Sequence, residues 1–461
     1  MTGDVMRTWT DGDAALAVLD EALAGAAADH AEVFAAARTG SHIRYAGERV
    51  HQPQTIIECQ VMVRAVAGTG SARVAVSSLA AAKDAVAAAC AMARRRDGLP
   101  GAGQPYGVAG PAELSAGLAG LWHEQTAGWD EGQRSALAGQ IMASAARAGG
   151  IAAGVLTAAV TELAVATTGG QRCYAAATEA GFALTARAGD ASSYAADLGR
   201  DASHLAVAAR AEALIAQAAR TRTVIPVPDG VHDVVFGGLA AGELIGFLPD
   251  FGFTGPAVAA GIGLAATRPG AVIAAPEVSV ADDAGAGAGL PFPFDFEGTA
   301  KQRVELISAG RVGSAVSDLA SAAATGGSST GHAHIARESS PAPEAASLVM
   351  QPGGATEAEL IAGVERGLYV QRLWYNRLVD AEAGTVVGTS RDGCFLIEDG
   401  RLTTGLATGR FTESVLGALA RTDGIGSQLI SQPVPNVWNG CITAPAIRVR
   451  GFRFGSRPGK D

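Results

Sequence analysis

The chain has 461 residues, with 35 Lys plus Arg against 45 Asp plus Glu, a formal charge of −10 and a pI near 5.4. That balance disfavours a dedicated nucleic-acid binder, because phosphate contacts need clustered cations and none stands out here. The length allows two or three domains, each large enough to bury its own core. Hydrophobic residues make up 48% of the chain, but aromatics only 5%, and Gly alone takes 61 positions. The mean hydropathy of +0.21 therefore reflects Ala and other small side chains rather than membrane spans. A spanning helix needs roughly 20 continuous apolar residues, and the best runs are interrupted at Arg147 and Glu162, or at Arg268-Pro269. Residues 1–13 are acidic and lack the apolar stretch of a signal peptide, which predicts a cytoplasmic chain with no membrane partner. The five cysteines (Cys59, Cys90, Cys173, Cys394, Cys441) are odd in number, far apart and without a Cys-x-x-Cys pair. This argues against a disulfide framework or a zinc ribbon and for small core hydrophobes.

A first helix is predicted over 12–27, where Leu16, Leu19 and Leu23 recur at helical spacing behind the Asp11-Gly12-Asp13 cap. Alternation follows: Ile43 and Tyr45 oppose His42 and Arg44, and Ile57, Cys59, Val61 and Val63 oppose Glu58, Gln60, Met62 and Arg64, as in half-buried strands. Gly68, Gly70 and the run from Arg73 to Val76 complete a hairpin, and Ser77 or Ser78 is placed to cap a helix carrying Leu79, Val86 and Cys90. Residues 97–115, rich in Gly and Pro, read as a loop before a helix over 130–147. Strands are predicted over 151–168 and 172–188, joined at Thr168-Gly169-Gly170, then a helix from Asp201 or Ser203 to about Thr221.

Val224-Ile225-Pro226-Val227-Pro228-Asp229-Gly230 marks the clearest boundary, since its two prolines deny a continuing helix its donors. It predicts domains at 1–224, an α+β unit with helices packed on antiparallel strands, and 225–461, mainly antiparallel β with short helices near 237–247, 255–266 and 356–366. Stretches 284–289 and 322–331, rich in Gly, Ala and Ser, read as mobile low-complexity loops.

The residues declare no active site by themselves. His123-Glu124 lacks the second His at position 127 that a zincin helix needs. His332 and His334 share one face if extended, which suits a metal only with a third ligand, and none is evident nearby. Phe294-Asp295-Phe296-Glu297-Gly298 brings two carboxylates together, suited either to acid–base work or, more commonly, to the local hydrogen bonds of a turn. No Gly-x-Ser-x-Gly, Walker-type loop or dinucleotide fingerprint occurs.

Read as an ordered series, the second half is more informative. Pro293 to Gly298 is followed by Leu306-Ile307-Ser308-Ala309-Gly310, Ser329-Thr330-Gly331-His332-Ala333 and Gly367-Leu368-Tyr369-Val370. Then come Gly388-Thr389-Ser390-Arg391-Asp392-Gly393, Ile397-Glu398-Asp399-Gly400, and Pro445-Ala446-Ile447-Arg448-Val449 with Gly451. This succession, over about 230–455, resembles the TldD/PmbA (TldD/TldE) metallopeptidase family, whose members form cytoplasmic protease complexes that trim small or unfolded peptides and mature modified peptide precursors. In the catalytic subunits, the resemblance implies, His-Glu-x-x-x-His after the first strand of the C-terminal domain and a late Cys hold a metal that activates water. The corresponding stretch here runs from Leu244 to Phe251 and puts Gly246, Phe247 and Phe251 at the ligand positions, with no His between His232 and His332. The late Cys is expected near 427–432, where none stands; Cys441 lies too close to the Pro445 phrase.

The resemblance therefore implies a TldE/PmbA-like, non-catalytic subunit with no catalytic residue, metal or cofactor of its own. Its partner is expected to be a TldD-like chain bearing His-Glu-x-x-x-His and zinc or a similar divalent ion, and its ligand a peptide. Such a subunit can enclose the cavity and hold an extended peptide by adding it to a sheet edge. The loops carrying Asp295, Glu297, Gly298, Ser329, Thr330, Gly331 and His332 are the candidates for shaping that cavity. Two alternatives stay open: a self-sufficient hydrolase of altered chemistry using His332, His334, Asp295 or Glu297, and a peptide-binding scaffold without proteolysis.

Overall fold

A computed structural model describes residues 8–9, 11–100, 106–112, 114, 120–221, 223–334, 342–434 and 437–455. Most of the acidic start and part of the Gly/Pro-rich stretch 97–115 lie outside the described residues.

The chain opens with α1 (Gly12–Leu23), whose first turn is closed by the Asp11 carboxylate accepting the Ala14 N–H at 2.6 Å. It ends earlier than predicted, ahead of Gly25, a weak helix former. Strands β1 (His30–Ala46), β2 (Arg49–Ala67) and β3 (Gly70–Val76) follow. The Ser78 hydroxyl makes no cap bond; a 3-10 turn, Leu79–Ala81, intervenes and is closed by the Ser78 carbonyl before α2 (Ala82–Arg96). After the short α3 (Glu124–Ala127), α4 (Glu131–Arg147) begins at a reciprocal capping box of Asp130 and Gln133.

Strands β4 (Ile151–Thr167) and β5 (Arg172–Ala188) fall where alternation placed them. The next strand, β6 (Ala191–Gly199), was not predicted, because Ser-Ser-Tyr-Ala-Ala-Asp carries no alternation and is made a strand by pairing with β5. The helix predicted from Asp201 is split. Ala206, at φ 46°, separates the 3-10 turn Ala202–Leu205 from α5 (Val207–Arg220).

These strands form a six-stranded antiparallel sheet, order β3-β2-β1-β4-β5-β6. One parity of side chains faces the helices: Val33, Ala35, Val61 and Val63 meet α1 and α2, while Ile43, Leu156, Phe182 and Leu184 meet α4 and α5. The other parity, Phe34, Leu163, Val165, Cys173 and Ala175, packs on Phe292 and Phe294 from the second half. The helices thus cover one face of the sheet and the C-terminal half leans on the other.

The second half builds a larger, mostly antiparallel sheet. Its opening elements are β7 (Val224–Ile225), β8 (Gly230–Phe236), α6 (Gly238–Ile245), α7 (Gly255–Ala259), α8 (Leu264–Thr267) and β9 (Val280–Asp282). Next are β10 (Val304–Ser308), β11 (Arg311–Val312), α9 (Leu319–Thr325), β12 (Ala333–His334), β13 (Ala342–Pro343) and β14 (Ser347–Met350). Then α10 (Glu357–Ala362), β15 (Arg366–Val370), β16 (Leu373–Asp380), β17 (Thr385–Ser390) and β18 (Cys394–Glu398) follow. The last are β19 (Arg401–Leu406), β20 (Arg410–Ser414), α11 (Val415–Ala420), β21 (Thr422–Pro433) and β22 (Cys441–Phe454).

The long β22 sits centrally, pairing with β8 and β21 antiparallel and with β14 parallel. Its apolar residues and those of β8 form the main core with α6, centred on Phe236, Leu244, Ile447 and Phe452. The segment read as a mobile loop at 322–331 begins inside α9, which Asp318 and Ser321 cap reciprocally. The predicted helix over 255–266 is broken into α7 and α8 at Gly261-Ile262-Gly263. The fold is α+β, and no helix among the described residues is long and apolar enough to cross a membrane.

Candidate functional site

The two loops singled out by sequence meet one another. Asp295 accepts the N–H groups of Glu297 and Thr299 on one oxygen and that of Ala333 on the other, at 2.8–3.0 Å. Glu297 accepts the N–H of Leu319, at the start of α9. Ser329 and Thr330 hydrogen-bond around Ser317, and Thr330 Oγ1 lies 2.9 Å from His332 Nδ1. Gly331 has φ 75°, and a Cβ there would stand 2.3 Å from the Ala300 carbonyl, so only glycine lets these backbones touch. The Gly298 carbonyl receives Gln171 Nε2 at 2.7 Å, tying the loop to the N-terminal sheet. Phe296 stacks between Phe34 of β1 and His334.

Six of the seven candidates are buried and Thr330 is half-buried. They form a junction between the halves of the molecule. At its centre Asp282, fully buried, lies 3.0 Å from His332 Nε2 and 3.6 Å from Lys301 Nζ. Burial opposes ionisation of Asp282, but Lys301 and His332 override it and hold the carboxyl well below its ordinary range. Burial and Lys301 pull the His332 imidazole down. Asp295 is pushed up to about 7, burial outweighing its three N–H donors and Lys301. Glu297 is also raised, by burial and by the nearby Glu32 and Asp295.

The positions where the family pattern needs metal ligands are brought together elsewhere. Gly246 ends α6 against Ile442; Phe247 packs on the main core and Phe251 is buried in it. Gln432, in the stretch of β21 where the late Cys was expected, donates from Nε2 to the Leu239 carbonyl of α6 at 2.7 Å. Ser431 Oγ is 2.8 Å from Thr443 Oγ1. The α6 and β21 segments are therefore neighbours, but the four positions themselves, Gly246, Phe247, Phe251 and Gln432, are apolar or amide and supply no donor set. Among the described residues no group of three or more His, Cys, Asp or Glu is arranged to hold a metal.

Beside this spot opens a cleft of about 430 Å³ between the two halves. One wall is β6, through Tyr194, Ala195 and Ala196, and the α5 stripe Arg210, Leu214, Gln217 and Arg220, at helical i, i+3, i+4 spacing. The other is the turn Gly237–Leu239 entering α6, with Glu357, Tyr369, Gln371, Gln428 and Ile430. Its ends are fastened. At one, Asp197 accepts the Ser431 and Leu198 N–H groups at 2.9 Å and pairs with Arg210 at 2.7 Å. At the other, the Gly393 N–H donates to the Ser192 carbonyl at 2.8 Å and the Tyr194 N–H to Gln371 Oε1 at 3.2 Å.

Within the cleft Tyr369 donates to Glu357 Oε1 at 3.0 Å; burial raises the Glu357 carboxyl and that hydrogen bond only partly offsets it. Sequence reasoning missed this cleft. The Arg210–Arg220 stripe was legible as one helix face, and Tyr369 lay in a quoted phrase, but nothing in the sequence joins β6 to β21.

The chain is similar to known proteins in its second half and throughout its fold. The family model for the PmbA/TldA metallopeptidase C-terminal domain matches residues 229–456. No curated protein matches the chain in sequence. Among solved structures, TldE from Thermococcus kodakarensis aligns with TM-score 0.77 at 18% identity, over 96% of this chain and 99% of that one. A proposed modulator of a DNA gyrase from Thermotoga maritima aligns at 0.79 and 15% identity, over 95% and 99%. Another such modulator, from Bacteroides thetaiotaomicron, gives 0.73 and 16%, over 97% and 100%. At these identities the structures speak to the fold alone. The class is thus an α+β protein with a metallopeptidase-type C-terminal domain. By that domain the chain belongs to the TldD/PmbA family.

Proposed function

We propose that this chain is the non-catalytic subunit of a heteromeric TldD/TldE-type metallopeptidase. It encloses the cavity and helps hold extended or unfolded peptides, for turnover or for maturation of modified precursors, while a sibling with His-Glu-x-x-x-His and zinc or a similar ion hydrolyses them in the cytoplasm. In this reading the domains divide at 224/225, and the junction of Asp295, Glu297, Gly298, Ser329, Thr330, Gly331 and His332 sets the spacing of the cavity walls from within.

The observation that carries the reading is the pairing of α6 with β21. The segments where the family pattern expects ligands lie side by side, and Gly246, Phe247, Phe251 and Gln432 stand there, packed on Ile442 and the main core or bonded to the Leu239 carbonyl. Metal-assisted hydrolysis needs about three protein ligands and an open position for water, so no hydrolytic step is assigned to this chain. The self-sufficient alternative finds less support, since Asp295 and Glu297 are buried and committed to backbone N–H groups and His332 is buried against Asp282.

Native mass spectrometry of the chain co-expressed with the His-Glu-x-x-x-His sibling of its genome tests this. A one-to-one complex carrying one metal per pair, lost when the sibling's His is replaced, is the expected result. A homo-oligomer that carries its own metal overturns it.

A further inference from the structure

The N-terminal sheet has an edge that its own strands leave open. Strand β2 is 19 residues long, but β3 pairs only with its Val61–Ala67 part, so from Val50 to Gln60 the outer edge of β2 has no strand beside it among the described residues. These residues are exposed or half-buried on both faces, Ile57 at 68%, although β1 beside them is mostly buried. Native sheet edges are usually blunted by charges, prolines, bulges or shortness. Between Val50 and Gln60 stand one formal charge, Glu58, and one proline, Pro53. The register of β2 with β1 shifts only at the hairpin end, between Arg44 and Tyr45.

The turn and the proline agree on which backbone groups face out. The two-residue turn Gly68-Thr69 closes on Ala67 and Gly70 as a hydrogen-bonded pair. Because direction alternates along a strand, the odd-numbered residues of β2 present their N–H and C=O to that edge. Pro53 falls on the same parity, as it must, since a strand tolerates proline where the missing N–H points to the open side. Thr55, Ile57 and Cys59 therefore offer both backbone groups outward and Pro53 its carbonyl. At about 3.4 Å per residue this template is roughly 20 Å long. A groove of about 1000 Å³ lies along it, lined by Ile57 to Gln60, by Ala75 and Val76 at the end of β3, and by Phe296 and Trp438.

We propose that this edge is where the metal-bearing sibling joins the chain, its own equivalent strand adding antiparallel to Pro53–Cys59. This rests on the reading of the chain as one subunit of a heteromer and goes further by naming the surface. The similar solved structures share the fold over 95–97% of this chain, the N-terminal sheet included, so a related sibling presents the same sheet with the same edge. Like edges complement one another about a twofold axis. Antiparallel pairing about such an axis keeps equivalent faces on the same side, so the helix-free faces of the two sheets form one continuous wall.

Amide hydrogen exchange of the full-length chain, alone and co-purified with its sibling, tests the assignment without any substitution. Segment 54–60 is expected to exchange at least about tenfold more slowly in the complex. Ile57→Pro removes an outward N–H and no bond to β1, so it is expected to weaken association about tenfold, the scale of one denied hydrogen bond with its neighbours, with little change in the melt of the isolated chain. A complex that forms with exchange over 54–60 unchanged, or with undiminished affinity in Ile57→Pro, overturns the proposal and leaves the heteromer reading intact. Protection already present in a homodimer of the isolated chain gives the edge to a second copy and overturns the sibling as its occupant. Failure to form any complex overturns both.

Discussion

The loop junction and the cleft between the two halves lie in the same molecule, and both are rich in polar groups, but they differ in what those groups still have to give. At the junction most donors and acceptors are spent, the buried Asp282 Oδ1 and His332 Nε2, 3.0 Å apart without a hydrogen bond, being among the exceptions. Asp295 takes three backbone N–H groups, Glu297 takes one, and Asp282 faces His332 and Lys301. In the cleft part of a strand edge, one carboxyl oxygen and one guanidinium have no partner among the described residues. Saturated polar groups in a dry setting fix geometry, whereas unsaturated ones in an open setting are available to a ligand. The contrast teaches that a recognisable phrase such as Asp295-Phe296-Glu297-Gly298 can mark where a fold is fastened rather than where it acts.

This comparison predicts large stability effects at the junction and small ones in the cleft. Replacing Asp282 by Ala leaves the largely buried Lys301 ammonium without its counter-charge, and breaking a buried pair in this way costs about 3–5 kcal/mol; chemical denaturation should show the loss. Gly331→Ala places a methyl group against the Ala300 carbonyl in a left-handed backbone conformation, with an expected cost of about 1–3 kcal/mol. A melt unchanged by either substitution would remove the junction from its fastening role.

The third prediction concerns pH. Asp295 has its folded-state pKa raised to about 7 against an ordinary 3.8. Between those values the folded state holds a proton that the unfolded chain has released, so this group makes stability fall as pH rises, by up to about 1.4 kcal/mol per unit. Unfolding free energies measured at several pH values should decline more steeply from pH 4 to 7 in the native chain than in Asp295→Asn; identical slopes would contradict the burial argument. The smallest effect is at Arg220→Met, an exposed position with no ion-pair partner among the described residues, where stability should shift by no more than about 0.5 kcal/mol. A large loss of stability there would place Arg220 in the structural frame instead.

Much of the N-terminal half was legible because its strands obey a period of two and its helices carry strong start signals, as at Asp130 with Gln133. Strand β6 escaped notice because its sequence has no alternation of its own; the register with β5 makes it a strand. Helix α9 was hidden in an Ala/Ser/Gly-rich stretch whose only signal was the Asp318 cap. The candidate loops were found, but not their burial, since local sequence does not reveal that Phe34, Gln171 and Val165 of a distant sheet cover them.

The sequence by itself determined the α+β class, the break in pattern at the Pro226/Pro228 segment, the family of the second half, and the absence of His and Glu from Leu244 to Phe251, because each is read from local patterns or from the order of short phrases along the chain. Tertiary structure alone decided that α6 and β21 stand side by side, that the polar phrases close into a buried junction, and that β6 ends with part of its edge unpaired above a cleft. These properties depend on contacts between segments as far apart as Asp197 and Ser431, and such long-range pairing is fixed by packing of the whole chain rather than by any local preference.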